Sequence, residues 1–110
     1  MEKEDKIKIQ PIQDVLYVIG GKWKFPILYS LCKGEKRFTD VQNVVLGISP
    51  KMLTKELREL EVNKLIKRTV HDTYPVLIEY SITEYGQTLE PVLRKLQEWG
   101  IAHREKIREK

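Results

Sequence analysis

Cysteine is almost absent from this chain. Cys32 is the only one in 110 residues, so no internal disulfide can form and a reducing cytoplasm is the expected setting. Long apolar runs are missing as well. Nothing approaches the roughly 20 residues that cross a bilayer, so no membrane association is expected. The first six residues, Met1 to Lys6, mix charges of both signs with no apolar segment behind them, which does not suit a signal peptide. There is no phosphate-binding glycine loop and no nucleophile motif. His71 and His103 lack the carboxylate or cysteine neighbours that metal-ligand spacing requires. No enzyme, metal or cofactor is therefore expected. Repeats and low-complexity tracts are also lacking.

What is present is an ordinary folded composition, hydrophobic 41% and charged 33%, with a net charge of +4. That balance permits a polyanionic partner without demanding one, so the placement of charge matters more than its sum. One stretch places it with particular clarity, about residues 49–62. Ser49 is a good N-cap, and Pro50 falls at the first helical position, where its missing N–H costs nothing. Leu53, Leu57 and Leu60 follow at i, i+4 and i+7 as one apolar stripe. Off the stripe lie Lys51, Thr54, Lys55 and Arg58. The spacing predicts a helix with a leucine back and a basic front.

Around it the chain reads mainly as helices. Residues 1–9 read as a charged, disordered lead. From Pro11 the period is helical, with Val15, Leu16 and Ile19 apolar and Gly20-Gly21 as the stop. A second helix is expected from about Lys22 to Lys33, with Trp23, Ile27, Leu28 and Leu31 inward. Cys32 on this apolar helix is expected to be a buried small hydrophobe. Thr39 and Gln42 make a T-x-x-Q capping box for a third helix burying Val41, Val44 and Val45. Leu46-Gly47-Ile48 then turns directly into the basic helix. Two short helices joined through a glycine turn suit a helix-turn-helix, and equally a plain helical corner.

After Leu65 the period changes. Residues 65–71 and 76–82 are rich in β-branched side chains, with Asp72 to Pro75 as a turn, so a β-hairpin is expected. A last helix is expected over about 84–108, bent or divided at Pro91. Its stripe is Leu89, Val92, Leu93, Leu96 and Trp99. At about 37 Å such a helix outreaches a domain with a radius of gyration near 13 Å. A second copy of the chain is its simplest cover. The expected fold class is α+β, mainly α: a winged helix-turn-helix in a single domain over 10–110, flanked by N- and C-terminal dimerisation helices.

Several separated motifs, in order and at matching spacing, resemble one family. They are Val18-Ile19-Gly20-Gly21-Lys22-Trp23, then Lys36-Arg37-Phe38, then Gly47-Ile48-Ser49-Pro50-Lys51-Met52-Leu53-Thr54 with Leu57-Arg58-Glu59-Leu60-Glu61. Glu79-Tyr80-Ser81-Ile82-Thr83-Glu84-Tyr85-Gly86 and Leu89-Glu90-Pro91-Val92-Leu93 follow, through Trp99-Gly100. Over roughly residues 10–100 the chain resembles the HxlR family of bacterial winged-helix transcriptional regulators. The resemblance implies a homodimer that binds near-palindromic double-stranded operator DNA. Three positions depart from the family pattern. The cysteine that many members carry before the N-terminal proline, an oxidant or electrophile sensor in some, is Gln10 here, so sensing is not carried over. The wing arginine before E-Y-S is Leu77. The glycine after the recognition helix is Lys64, preceded by Asn63, which is expected to supply the left-handed cap.

With that resemblance, Ser49, Lys51, Thr54, Lys55 and Arg58 are candidate DNA contacts, and so are Lys36 and Arg37 ahead of the third helix. Arg68, His71 and Tyr74 are the wing's candidates for the backbone or minor groove. Glu56 and Glu59 would oppose phosphates and are expected to face away or to orient their neighbours. The alternative is a winged-helix module whose basic face or long arm binds protein, with no operator of its own.

Overall fold

A computed structural model describes residues 2–109. Helix α1 runs Lys3–Ile19, α2 Lys24–Cys32, α3 Phe38–Val44 and α4 Pro50–Val62. Strands β1, Ile66–His71, and β2, Leu77–Ile82, form an antiparallel pair with Ile66 opposite Ile82 and His71 opposite Leu77. A single turn α5, Glu84–Gln87, leads into α6, Glu90–Arg108. Two short helices joined through Gly47 (φ +87°) and followed by a hairpin make a winged helix-turn-helix, with α1 and α6 flanking it.

One apolar cluster holds these elements. Ile19 of α1, Ile27, Leu28 and Leu31 of α2, and Val41 and Val45 about α3 meet Leu53, Leu57 and Leu60 of α4. Leu65 and Ile66 at the start of the wing and Leu93 of α6 close it. The periodicities expected for α2 and α4 are therefore the ones buried. The wing packs only partly: no residue of β2 is fully buried.

Several expectations are revised. The charged lead 1–9 is helical from Lys3, and Pro11 lies inside α1. Its straight-chain Lys and Glu residues are good helix formers, whatever their charge. Of the apolar face of α1, Ile19 joins the core, whereas Val15 and Leu16 are exposed. α3 begins at Phe38 with Arg37 at its N-cap position and no side-chain cap. Burial of Val41 and Val45, four residues apart, sets its phase. Thr39 therefore falls inside the first turn, Val44 turns outward, and the Gln42 amide donates to the Ile48 carbonyl instead. Cys32 is exposed at the end of α2. Partial burial of its thiol and the Glu90 carboxylate push its pKa up, away from the reactive thiolate. The last helix divides ahead of Pro91, which falls in the first turn of α6. That shortens the arm to 19 residues, about 28 Å.

The end of α4 is revised too. Lys64 itself takes the left-handed conformation (φ +65°), whereas Asn63 has φ −82°. The Leu65 N–H donates to the Leu60 carbonyl and the Lys64 N–H to the Glu61 carbonyl. This is a Schellman motif, and its apolar contact pairs the buried Leu60 and Leu65. The next turn locks it. The Thr83 hydroxyl lies 2.7 Å from the Lys64 carbonyl, its backbone N–H donates to the Leu65 carbonyl, and its oxygen caps α5 by accepting from Gly86 N–H. A Cβ on Gly86 would stand 2.1 Å from the Leu65 carbonyl oxygen, so only glycine lets α5 press this close.

A lysine held left-handed is strained where glycine is not. Lys64→Gly relieves about 1–2 kcal/mol of that strain and returns part of it as unfolded-chain entropy. The expected result is a net stabilisation of about 0.5–1 kcal/mol, read as a raised midpoint in urea unfolding with an unchanged slope.

Candidate nucleic-acid interface

Helix α4 is built as its local sequence requires. The Ser49 oxygen accepts from the Met52 N–H at 3.1 Å, and Pro50 opens the helix. Leu53, Leu57 and Leu60 are at most 2% exposed. Lys51, Thr54, Lys55 and Arg58 are all exposed and fall together on the opposite face. Pro50 has no N–H and Met52 N–H is capped. Lys51 N–H is thus the first-turn donor left without a partner among the described residues. The Thr54 hydroxyl donates to the Pro50 carbonyl at 2.9 Å.

The helix is also fixed by charge. Lys24 lies in register with Ile27, Leu28 and Leu31 of α2, and Glu56 lies in register with Leu53, Leu57 and Leu60 of α4. Each therefore points into the interface between the two helices. Lys24 Nζ sits 2.5 Å from a carboxylate oxygen of Glu56 and 2.5 Å from one of Glu59. Burial opposes the lysine charge, but the two carboxylates outweigh it and hold Lys24 above its usual pKa. The Lys24 hydrogen bond holds Glu59 below its usual pKa. Glu56 and Glu59 do face away from the basic front, as expected. The lysine that receives them was not singled out as functional in the sequence. Its legible signal was a charge at a core position of each of two neighbouring helices.

The remaining candidates are more dispersed. Lys36 and Arg37 are exposed, and the Lys36 carbonyl accepts from Tyr80 N–H at 2.8 Å. That bond ties the segment before α3 to the wing. Arg68 is exposed on β1, and Tyr74 is fully exposed at the tip of the hairpin. His71 Nε2 lies 2.8 Å from the Glu79 carboxylate on the neighbouring strand, so its ring is already engaged. No cluster of metal-ligating residues occurs among the described residues, and no described helix is long and apolar enough to cross a membrane.

The expected α6 stripe splits between two surroundings. Leu93 is 5% exposed and belongs to the chain's own core, with Leu89 packed beside it. Val92, Leu96 and Trp99 point outward. Trp99 is 67% exposed and stacks on His103 with ring centroids 4.9 Å apart. On α1, Ile12, Val15, Leu16 and Tyr17 are exposed as well. The chain's radius of gyration is 16.5 Å, larger than the roughly 13 Å of a compact chain of this size.

Comparison with known proteins agrees with this architecture. The family model for HxlR-like helix-turn-helix proteins matches residues 18–108. The HTH-type transcriptional regulator YybR of Bacillus subtilis is 42% identical over 95 residues, 86% of this chain and 76% of the relative. A second B. subtilis HTH-type transcriptional regulator, YdeP, is 43% identical over 97 residues, 88% of this chain and 76% of the relative. Among solved structures, the redox regulator HypR in its reduced form matches with a TM-score of 0.83 at 41% identity, covering 88% of this chain and 96% of that one. The HTH-type transcriptional regulator ytcD matches with a TM-score of 0.81 at 42% identity, covering 86% and 96%.

Removing Lys24 strands a buried carboxylate. Lys24→Met is expected to destabilise the fold by about 3 kcal/mol, the lower end for a broken buried pair because Glu59 is partly solvated. Chemical unfolding reads this directly. Lys24's contribution is complete below 10.5 and fades as pH rises through its higher folded value. Glu59's is complete above 4.5 and fades as pH falls through its lower folded value. Lys24→Met should flatten the alkaline limb of the stability profile measured against the wild type.

Proposed function

The chain belongs to the HxlR-like helix-turn-helix family and is a DNA-binding transcriptional regulator, not an enzyme; from that premise we propose that it acts as a homodimer, laying α4 of each copy in the major groove of an operator. The observation that carries the reading is the helix itself. Four side chains able to meet DNA are exposed on one face, while the opposite face is buried to within 2% at its three leucines.

The roles divide by chemistry. At the start of α4, the free Lys51 N–H and the Lys51 ammonium suit a backbone phosphate, helped by the helix dipole. Arg58 has the fork that pairs bidentately with guanine. Lys55 and Thr54 lie between them on the groove-facing surface. Lys36 and Arg37, fixed through the Lys36–Tyr80 bond, suit a flanking phosphate. Arg68 and Tyr74 extend the wing toward the backbone. His71 is held to Glu79 on the neighbouring strand, so its Nε2 is turned to the hairpin and not free for the backbone.

The dimer reading rests on Val92, Leu96 and Trp99 of α6 and on the exposed apolar residues of α1. These are the contiguous apolar surfaces for which a second copy is the economical cover. Symmetry would then set the two α4 helices about one DNA turn apart, roughly 34–36 Å.

Binding to the chain's own promoter DNA should weaken steeply with salt as condensed counterions are released. Binding with no preference over random DNA at moderate salt would favour the protein-interaction alternative. Arg58→Ala should cut discrimination between operator and random DNA by about 1–3 kcal/mol. Lys36→Ala should weaken both alike and lower the logarithmic salt slope by about 1. For assembly, sedimentation at micromolar concentration should give twice the 13.0 kDa chain mass, and Trp99→Glu should return it to one. A wild-type chain of single mass would overturn the dimer.

A further inference from the structure

We infer that Thr54 reads the 5-methyl group of a thymine, so that operator specificity includes an apolar contact at the centre of an otherwise cationic surface. The inference rests on α4 lying in the major groove and names what one position there recognises.

The geometry begins with the hydroxyl. It donates to the Pro50 carbonyl four residues back, at 2.9 Å. A threonine hydroxyl has one proton to donate, and this one is directed into the helix. The bond also folds the oxygen against the preceding turn, a familiar arrangement for helical threonine. The other substituent on Cβ is the methyl, and Thr54 is an exposed residue. What the side chain offers outward is therefore a small, rigid apolar group, not a hydrogen-bond donor.

Its neighbours sharpen the point. Lys51 lies one turn before Thr54 and Arg58 one turn after, with Lys55 adjacent. The three cations have long, mobile stems that reach phosphates or base acceptors. Thr54 is the short one, so the helix axis must come close to a base edge for it to touch anything. Among base edges in the major groove, thymine alone presents a methyl, and threonine's methyl is a fitting partner for it. The backbone bond to Pro50 holds the branched side chain in one rotamer, so ordering it on binding costs little.

The test works without the operator sequence in hand. Wild-type protein selects duplexes from a randomised double-stranded DNA library, and the most enriched duplex becomes the probe. Each thymine is then replaced singly, and as symmetric pairs, by uracil, which keeps the pairing and removes only the methyl. The expected result is a loss of about fourfold per half-site at one symmetric thymine, from the roughly 0.8 kcal/mol of one methyl's burial. Thr54→Val, which keeps a methyl and removes the hydroxyl, should retain that sensitivity. Thr54→Ser, which keeps the hydroxyl and removes the methyl, should bind the thymine and uracil probes equally. Uracil indifference in the wild type at every thymine overturns the inference while leaving operator binding intact. So does a Thr54→Ser protein that still distinguishes the two probes. Failure of the wild type to enrich any duplex overturns the operator reading itself, and the inference with it.

Discussion

The contact of Lys24 with Glu56 and Glu59 decides where the basic face points. The leucine stripe sets which face of α4 is buried, but it fixes the fine rotation against α2 only loosely, because apolar contact has no direction. An ammonium bonded to two carboxylates one turn apart does have one. It fixes both the rotation of α4 about its axis and its slide along α2. The same contact draws Glu56 and Glu59, two of the three glutamates of the helix, toward the scaffold and away from the exposed front of Lys51, Thr54, Lys55 and Arg58. A buried ion pair is a poor source of net stability. Here its value lies in the orientation that it enforces.

The turn at Lys64 fixes the other end of that helix. Leu65 closes the Schellman motif and then leads into the wing, so α4 and β1 share their junction. Thr83 returns from the far side of the hairpin to the Lys64 and Leu65 carbonyls. Helix end, wing root and the start of the C-terminal segment thus meet at Leu65. Two carbonyl groups and a threonine tie the end of α4 to the root of the wing.

What could be seen in the sequence was what is local. Ser49 followed by Pro50, the leucines at i, i+4 and i+7, and the β-branched runs are signals carried by adjacent residues, and they placed α4 and the hairpin within a residue or so. What escaped depended on partners distant in sequence. Nothing near Thr39 announces that burial of Val41 and Val45 will start α3 at Phe38. Nothing near Lys64 says that Leu60 and Leu65 will close on each other and force a lysine left-handed. Lys24 and Glu56 are 32 positions apart, and each alone looks like a misplaced surface charge. Leu93 could not be told from Leu96 by period, because both lie on one broad stripe and only the position of α2 separates them. The exposure of Cys32 follows likewise from where α2 ends.

The divided stripe of α6 makes that helix a mechanical element. Its inner edge, through Leu93, is seated in the same core as α2, and α2 holds α4 through Lys24. Its outer edge, through Val92, Leu96 and Trp99, is turned away from that core. Whatever grips the outer edge therefore grips a lever whose short arm ends at α4. In the proposed dimer, the distance between the two α4 helices would then be governed by how these levers are seated, some way from α4 itself.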